Sequence, residues 1–167
     1  MAQNRQEHPG GREAARVTER ALLLERRRAR RRESRASQTY ADFLKQLSER
    51  GGMSPSVAEQ AAASVLCAIE ERIMPQEAQD MTAQLPVKLT ELLHRCERHE
   101  HGGPPRKFGR EEMLQRVGED LALQPEAVEP VVRAVCNVLR SRLSDGEAED
   151  VMNQLPEDLR ALWRRVS

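Results

Sequence analysis

Four residues between the two halves of the chain have the side chains of a metal site. His94, Cys96, His99 and His101 fall within eight positions and form a nitrogen–sulfur donor set that suits zinc or copper. Their spacing matches no standard finger and no second ligand pair stands nearby, so a polar helix end running into a loop is the preferred reading. A metal-responsive sensor built on this cluster is kept as an alternative. Nothing else in the sequence calls for a cofactor, and none is expected.

A second chemistry lies in the run Arg26, Arg27, Arg28, Arg30, Arg31 and Arg32, six arginines in seven positions. Such a cluster neutralises phosphates with release of counterions, which gives sequence-independent and salt-sensitive affinity for nucleic acid. The whole chain has only Tyr40, Phe43, Phe108 and Trp163 as aromatics, and none interleaves with the run, so base stacking is not indicated. A solvated tail, a hook for an acidic partner and association with the chain's own acidic part are the competing readings.

Paired carboxylates suited to acid–base work appear twice, as Glu77 with Asp80 and Glu147 with Asp150. Their i, i+3 spacing puts each pair on one helix face. The simpler reading is that they complement helix N-termini, with Arg72 and Arg142 upstream as ion-pair partners. Cys67 and Cys136 lie on or beside apolar stripes, where a free thiol behaves as a small hydrophobe. Three unpatterned cysteines without a secretory signal point to a reducing compartment and no disulfide framework. No nucleophile comes with a partner base, so the chain reads as non-enzymatic.

The elements that hold these residues are written twice. Glu77-Ala78-Gln79-Asp80, Gln84-Leu85-Pro86 and Leu89 return seventy residues on as Glu147-Ala148-Glu149-Asp150, Gln154-Leu155-Pro156 and Leu159. Identities at the same offset include Leu44/Leu114, Pro55/Pro125, Val65/Val135, Arg72/Arg142 and Leu92/Leu162, with no gap. A constant offset predicts two copies of one folding unit. Each unit reads as four helices, near 40–50, 55–73, 76–84 and 87–96 in the first. Phe43, Leu44 and Leu47 share a helical face, and Val57, Ala61, Val65, Ile69 and Ile73 form an i, i+4 stripe. Ser54-Pro55 is an N-cap followed by a proline at the first helical position. Pro86 and Pro156 disfavour helix at the preceding Leu85 and Leu155. Gln84-Leu85-Pro86 and Gln154-Leu155-Pro156 therefore read as corners between short helices, structural or partner-binding, with Gln bridging backbone groups and Leu in the core. β-alternation is not visible.

Charge divides the chain further. The 167 residues sum to zero, yet 1–38 carry eleven Arg and five Glu (net +6), while 39–167 carry sixteen basic and twenty-two acidic residues (net −6). The expected organisation is a basic arm at 1–38, helical repeat 1 at 39–97, a linker at 98–108 marked by Gly102-Gly103-Pro104-Pro105, and helical repeat 2 at 109–167. Repulsion among the arginines predicts an arm that is disordered or partly helical. Leu22-Leu23-Leu24 is too short to anchor in a bilayer.

With the doubled Glu-Ala-x-Asp…Gln-Leu-Pro pattern and the restart Pro104-Pro105-Arg106-Lys107-Phe108-Gly109-Arg110-Glu111-Glu112-Met113-Leu114 in view, residues 40–163 resemble the DUF2267 family of bacterial α-helical proteins. The resemblance implies an all-α domain and carries over no catalytic residue. Twenty-four Arg against three Lys resembles the usage of a high-GC bacterium. The combined expectation is an all-α, pseudo-twofold bundle of two tandem four-helix repeats behind a basic arm. It would act as a cytoplasmic interaction module for a protein partner, away from membranes and open to homo-oligomerisation. Sequence-independent nucleic-acid binding by the arm is the first alternative.

Overall fold

The computed structural model describes residues 9–94 and 103–164, the first four of them by backbone alone. Among the described residues there are eight α-helices and no strand. They are α1 Pro9–Gly51, α2 Pro55–Arg72, α3 Pro75–Ala83, α4 Val87–Leu93, α5 Arg110–Leu121, α6 Pro125–Arg142, α7 Asp145–Gln154 and α8 Glu157–Trp163. The chain divides into two compact units, 1–37 and 38–167.

The first unit departs from the sequence reading. Helix α1 opens at Pro9 rather than near residue 40, so the stretch expected to be disordered or partly helical is helical as far as it is described. From Arg12 to Arg50 no glycine or proline interrupts the sequence, and alanine, leucine, arginine and glutamate are strong helix formers. The arginines of the run fall on three sides of the helix rather than on one face. Residues 13–35 are exposed throughout.

In the second unit local chemistry sets the helix ends. The Ser54 hydroxyl accepts from Val57 N at 3.3 Å and Pro55 follows at the first helical position. The Ser144 hydroxyl does the same for Glu147 N at 3.3 Å. Pro86 and Pro156 stand at the N-caps of α4 and α8. The turns after α1 and α5 both pass through left-handed backbone, at Gly52 with φ 61° and at Ala122 with φ 50°. Glycine takes that conformation freely, whereas in alanine the Cβ crowds the following carbonyl oxygen. Helix α4 stops at Leu93 with His94 as C-cap, short of the expected residue 96.

One core spans the unit. Helix α2 packs on α4, α5 and α6; α6 packs also on α5 and α8; and α3 packs on α7. Phe43, Val65, Ile69, Val117, Leu139 and Trp163 are among its buried residues. Each such side chain stabilises by about 1.5–3 kcal/mol. Trp163 satisfies its indole by donating to the Ala148 carbonyl at 3.0 Å. Helix α2 is buried over more of its circumference than the single predicted stripe, because Ala58, Ala62 and Leu66 are covered along with Ala61, Val65 and Ile69.

Candidate functional site

The junction of α3 and α7 gathers the carboxylates that the sequence sets seventy residues apart. Glu77 lies in the first turn of α3 and Glu147 in the first turn of α7. Each helix start is capped by the glutamine that ends the other helix. Gln84 Oε1 accepts from Ser144 N at 2.8 Å, and Gln154 Oε1 accepts from Met74 N at 2.6 Å. The same two amides then donate to the acids, Gln84 Nε2 to Glu147 Oε2 at 3.4 Å and Gln154 Nε2 to Glu77 Oε2 at 3.1 Å.

The remaining oxygens explain the electrostatics. Oε1 of Glu77 and Oε1 of Glu147 are both buried and meet no donor among the described residues. A hydrogen bond to Glu147, which needs a proton on one of the two carboxyls, is among the causes that raise Glu77. Burial first, then that bond and the charges of Glu147, Asp150 and Asp80, push Glu77 up to about 7. Neighbouring negative charges disfavour the ionised form of Glu77. The chemistry available here is proton capture and release near neutral pH, at a point where two helices meet.

The expected ion-pair partners of these acids act elsewhere. Arg72 Nε donates to the Phe108 carbonyl at 3.1 Å and Arg142 donates to Gln46 Oε1 at 3.1 Å, with its guanidinium 5.8 Å from the Phe43 ring centroid. The glutamine corners occupy the positions that the arginines were assigned. Leu85 and Leu155 of those corners are buried in the core.

A second charged cluster went unread in the sequence. Glu71 is 8% exposed and pairs with Arg116 at 3.0 Å and Arg106 at 3.4 Å. Its backbone carbonyl accepts from Arg106 N at 2.7 Å, and Arg116 stacks 4.9 Å above the centre of the Phe108 ring. Residues 106–108 are thereby strapped to the end of α2. Glu71 stands about 200° around α2 from Ile69 and Ile73, off the predicted stripe, so the spacing gave no signal of its burial. Its neighbour Glu70 is pushed up to about 7 by burial.

The other sequence-derived candidates are dispersed. Arg26, Arg27, Arg28, Arg30, Arg31 and Arg32 are all exposed on α1. His94 is exposed at the end of α4, while Cys96, His99 and His101 lie outside the described residues. Among the described residues no group of His, Cys, Asp and Glu is arranged to hold a metal ion. Cys67 and Cys136 are buried and outside any disulfide, and burial pushes the Cys136 thiol up to about 12, its inert form. Cys136 lines an apolar gap in the core together with Ala68, Ile69, Met113, Leu155 and Trp163.

No helix of the described residues is long and apolar enough to cross a membrane. A comparison with curated proteins finds no match. The sequence profile of the uncharacterized conserved protein DUF2267 matches residues 40–162, which takes in all four helices from α5 to α8, the three from α2 to α4 and the last turns of α1. The chain belongs to the DUF2267 family.

Proposed function

We propose that this DUF2267 chain is a non-enzymatic, cytoplasmic interaction module of bacterial type, in which a helical domain carries a helix that engages a partner. The observation that supports it is the exposure of α1 from residue 13 to residue 35. Val17 is 66% exposed and Leu22, Leu23 and Leu24 are each about half exposed, beside six exposed arginines. Arginine is enriched in protein interfaces, and a cluster of exposed leucines beside it offers apolar surface to cover. Buried cysteines without a disulfide fit a reducing compartment. The domain behind the helix is read as two copies of a four-helix unit, 39–97 and 109–167. The matched bounds of α2 and α6 and the reciprocal glutamine caps favour that reading.

The partner class first expected is a protein. The exposure of all six guanidinium groups on a formed helix favours a second reading, a polyanion such as nucleic acid. The test compares the full chain with a variant in which Leu22, Leu23 and Leu24 become Ser and the six arginines become Gln. Both are recovered from cells of the source with their bound protein and nucleic acid quantified. Loss of a bound macromolecule in the variant, at unchanged melting temperature, supports the reading. Equal recovery of everything by both chains overturns it.

A further inference from the structure

The six arginines of the run 26–32 are arranged around the axis of α1 in a way that selects among anionic partners, and Arg35 continues the row of Arg27 and Arg31. At about 100° per residue, they fall into three i, i+4 pairs, Arg26 with Arg30, Arg27 with Arg31 and Arg28 with Arg32. Members of a pair are about 40° apart and neighbouring pairs about 100° apart. Together they cover roughly two-thirds of the circumference within about 9 Å of helix length. The remaining third carries Glu25, Ala29, Glu33 and Ala36. All twelve residues from Glu25 to Ala36 are in the helix, and those from Glu25 to Arg35 are exposed.

This is a helix with two charged flanks, a charged front and a neutral-to-acidic back. A flat anionic surface, whether a lipid headgroup layer or the face of an acidic protein, reaches one pair or at most two. Only a partner that is concave and charged on both walls engages all three while leaving the back in solvent. The major groove of B-form DNA has that shape: it is about 12 Å wide, admits an α-helix, and is walled by the phosphates of two strands. The deep, narrow major groove of duplex RNA excludes side chains.

We propose that the stretch 25–36 of α1 binds in the major groove of duplex DNA, with Arg26/Arg30 and Arg28/Arg32 on the phosphates of opposite strands and Arg27/Arg31 facing the base edges. This rests on the reading of exposed α1 as the binding element, and it adds the partner, the groove and a division of labour among the arginines. The outer pairs supply affinity without sequence information. The central pair has the donor geometry to favour guanine, through O6 and N7.

The test is fluorescence anisotropy of the full chain with labelled duplex DNA of roughly two helical turns, duplex RNA of the same sequence, and poly-glutamate, at salt from about 50 to 200 mM. The variants are R26Q/R30Q, R27Q/R31Q and R28Q/R32Q, with E25Q/E33Q as control. All change exposed residues. Four phosphate contacts predict a slope of log K against log salt near −3.6, and either outer pair removed should halve it, to about −1.8. Losing the central pair should weaken binding with little change in slope, and the control should bind at least as well as the unaltered chain. DNA should bind at least about tenfold tighter than RNA, for which the groove is closed. Three results overturn the proposal: no DNA binding at the lowest salt, equal binding of RNA, or one outer pair proving dispensable. Tighter binding of poly-glutamate would replace it with an acidic protein partner. If the chain binds DNA in any of these failing patterns, exposed α1 survives as the binding element and only the groove geometry falls.

Discussion

Gln84 and Gln154 cap each other's neighbouring helix. The first accepts the Ser144 amide at 2.8 Å from the end of α3, and the second accepts the Met74 amide at 2.6 Å from the end of α7. Each amide side chain also holds one glutamate, Gln84 donating to Glu147 and Gln154 to Glu77. A residue that closes its own helix thus opens another one sixty or eighty positions away. Helix α3, nine residues long, and helix α7, ten residues long, are too short to stand alone in water.

Replacing either glutamine by alanine should therefore cost about 1–2 kcal/mol, the usual loss on removing a cap. The effect should exceed that of an exposed surface substitution such as Gln79→Ala, which is expected within about 0.5 kcal/mol. Urea unfolding of the three variants at one pH measures this. Equal midpoints for all three would show that the caps contribute nothing.

The acid pair makes stability depend on pH. Glu77 has a folded value of about 7 against an ordinary 4.5, so the folded state binds the proton more tightly than the unfolded one. A raised value contributes stability fully present below about pH 4.5 and lost as pH rises through about 7. Glu147, Asp80 and Asp150 face Glu77 and oppose its ionisation, and Gln84 and Gln154 donate to the pair. Glu77→Gln, which keeps an acceptor for Gln154 and brings its own donor for Glu147, should raise the urea midpoint more at pH 8 than at pH 5. A gain of the same size at both would sink the shared proton.

Ala122 sits with φ 50° where Gly52 sits with φ 61°. Left-handed backbone costs a residue with a Cβ about 1–2 kcal/mol. Ala122→Gly should stabilise by about 1 kcal/mol and Gly52→Ala should destabilise by a similar amount. Thermal melts of both variants, read against the unaltered chain, check the opposite signs.

Glu71 is buried against Arg116, itself 15% exposed in its side chain, while Arg106 at 58% is largely solvated. Removing Arg116 leaves a buried carboxylate with only the weaker partner, and Arg116→Ala should cost about 3 kcal/mol. Arg106→Ala should cost under about 1 kcal/mol, as expected of a solvated pair. Joint replacement of Glu71 and Arg116 by Leu and Met should recover most of the loss, because the desolvation cost leaves with the charges. A double variant as unstable as Arg116→Ala would assign the effect to lost packing over Phe108 instead.

Helix ends were legible in the sequence because their causes are local. Ser54-Pro55, Ser144, Pro86 and Pro156 act through backbone groups within three or four residues, and α2, α7, α4 and α8 begin where they dictate. The apolar spacing of Val57, Ala61, Val65, Ile69 and Ile73 likewise foretold burial for the last four, while Val57 is only partly buried. The first helix was misjudged for the opposite reason. Six arginines in a short run suggested an arm that is disordered or partly helical, yet most residues around them are strong helix formers, and α1 is helical from Pro9 onward. Only tertiary structure decided which faces meet. Neither the partners of Gln84 and Gln154 nor the encounter of Glu77 with Glu147 follows from spacing, since each joins groups sixty residues or more apart. The same holds for Glu71 with Arg116, forty-five positions on. Composition and periodicity determine where this chain is helical and which stripe it hides; packing α3 on α7 and α2 on α5 determines which polar groups share a proton or a charge, because those depend on distances that no local rule contains.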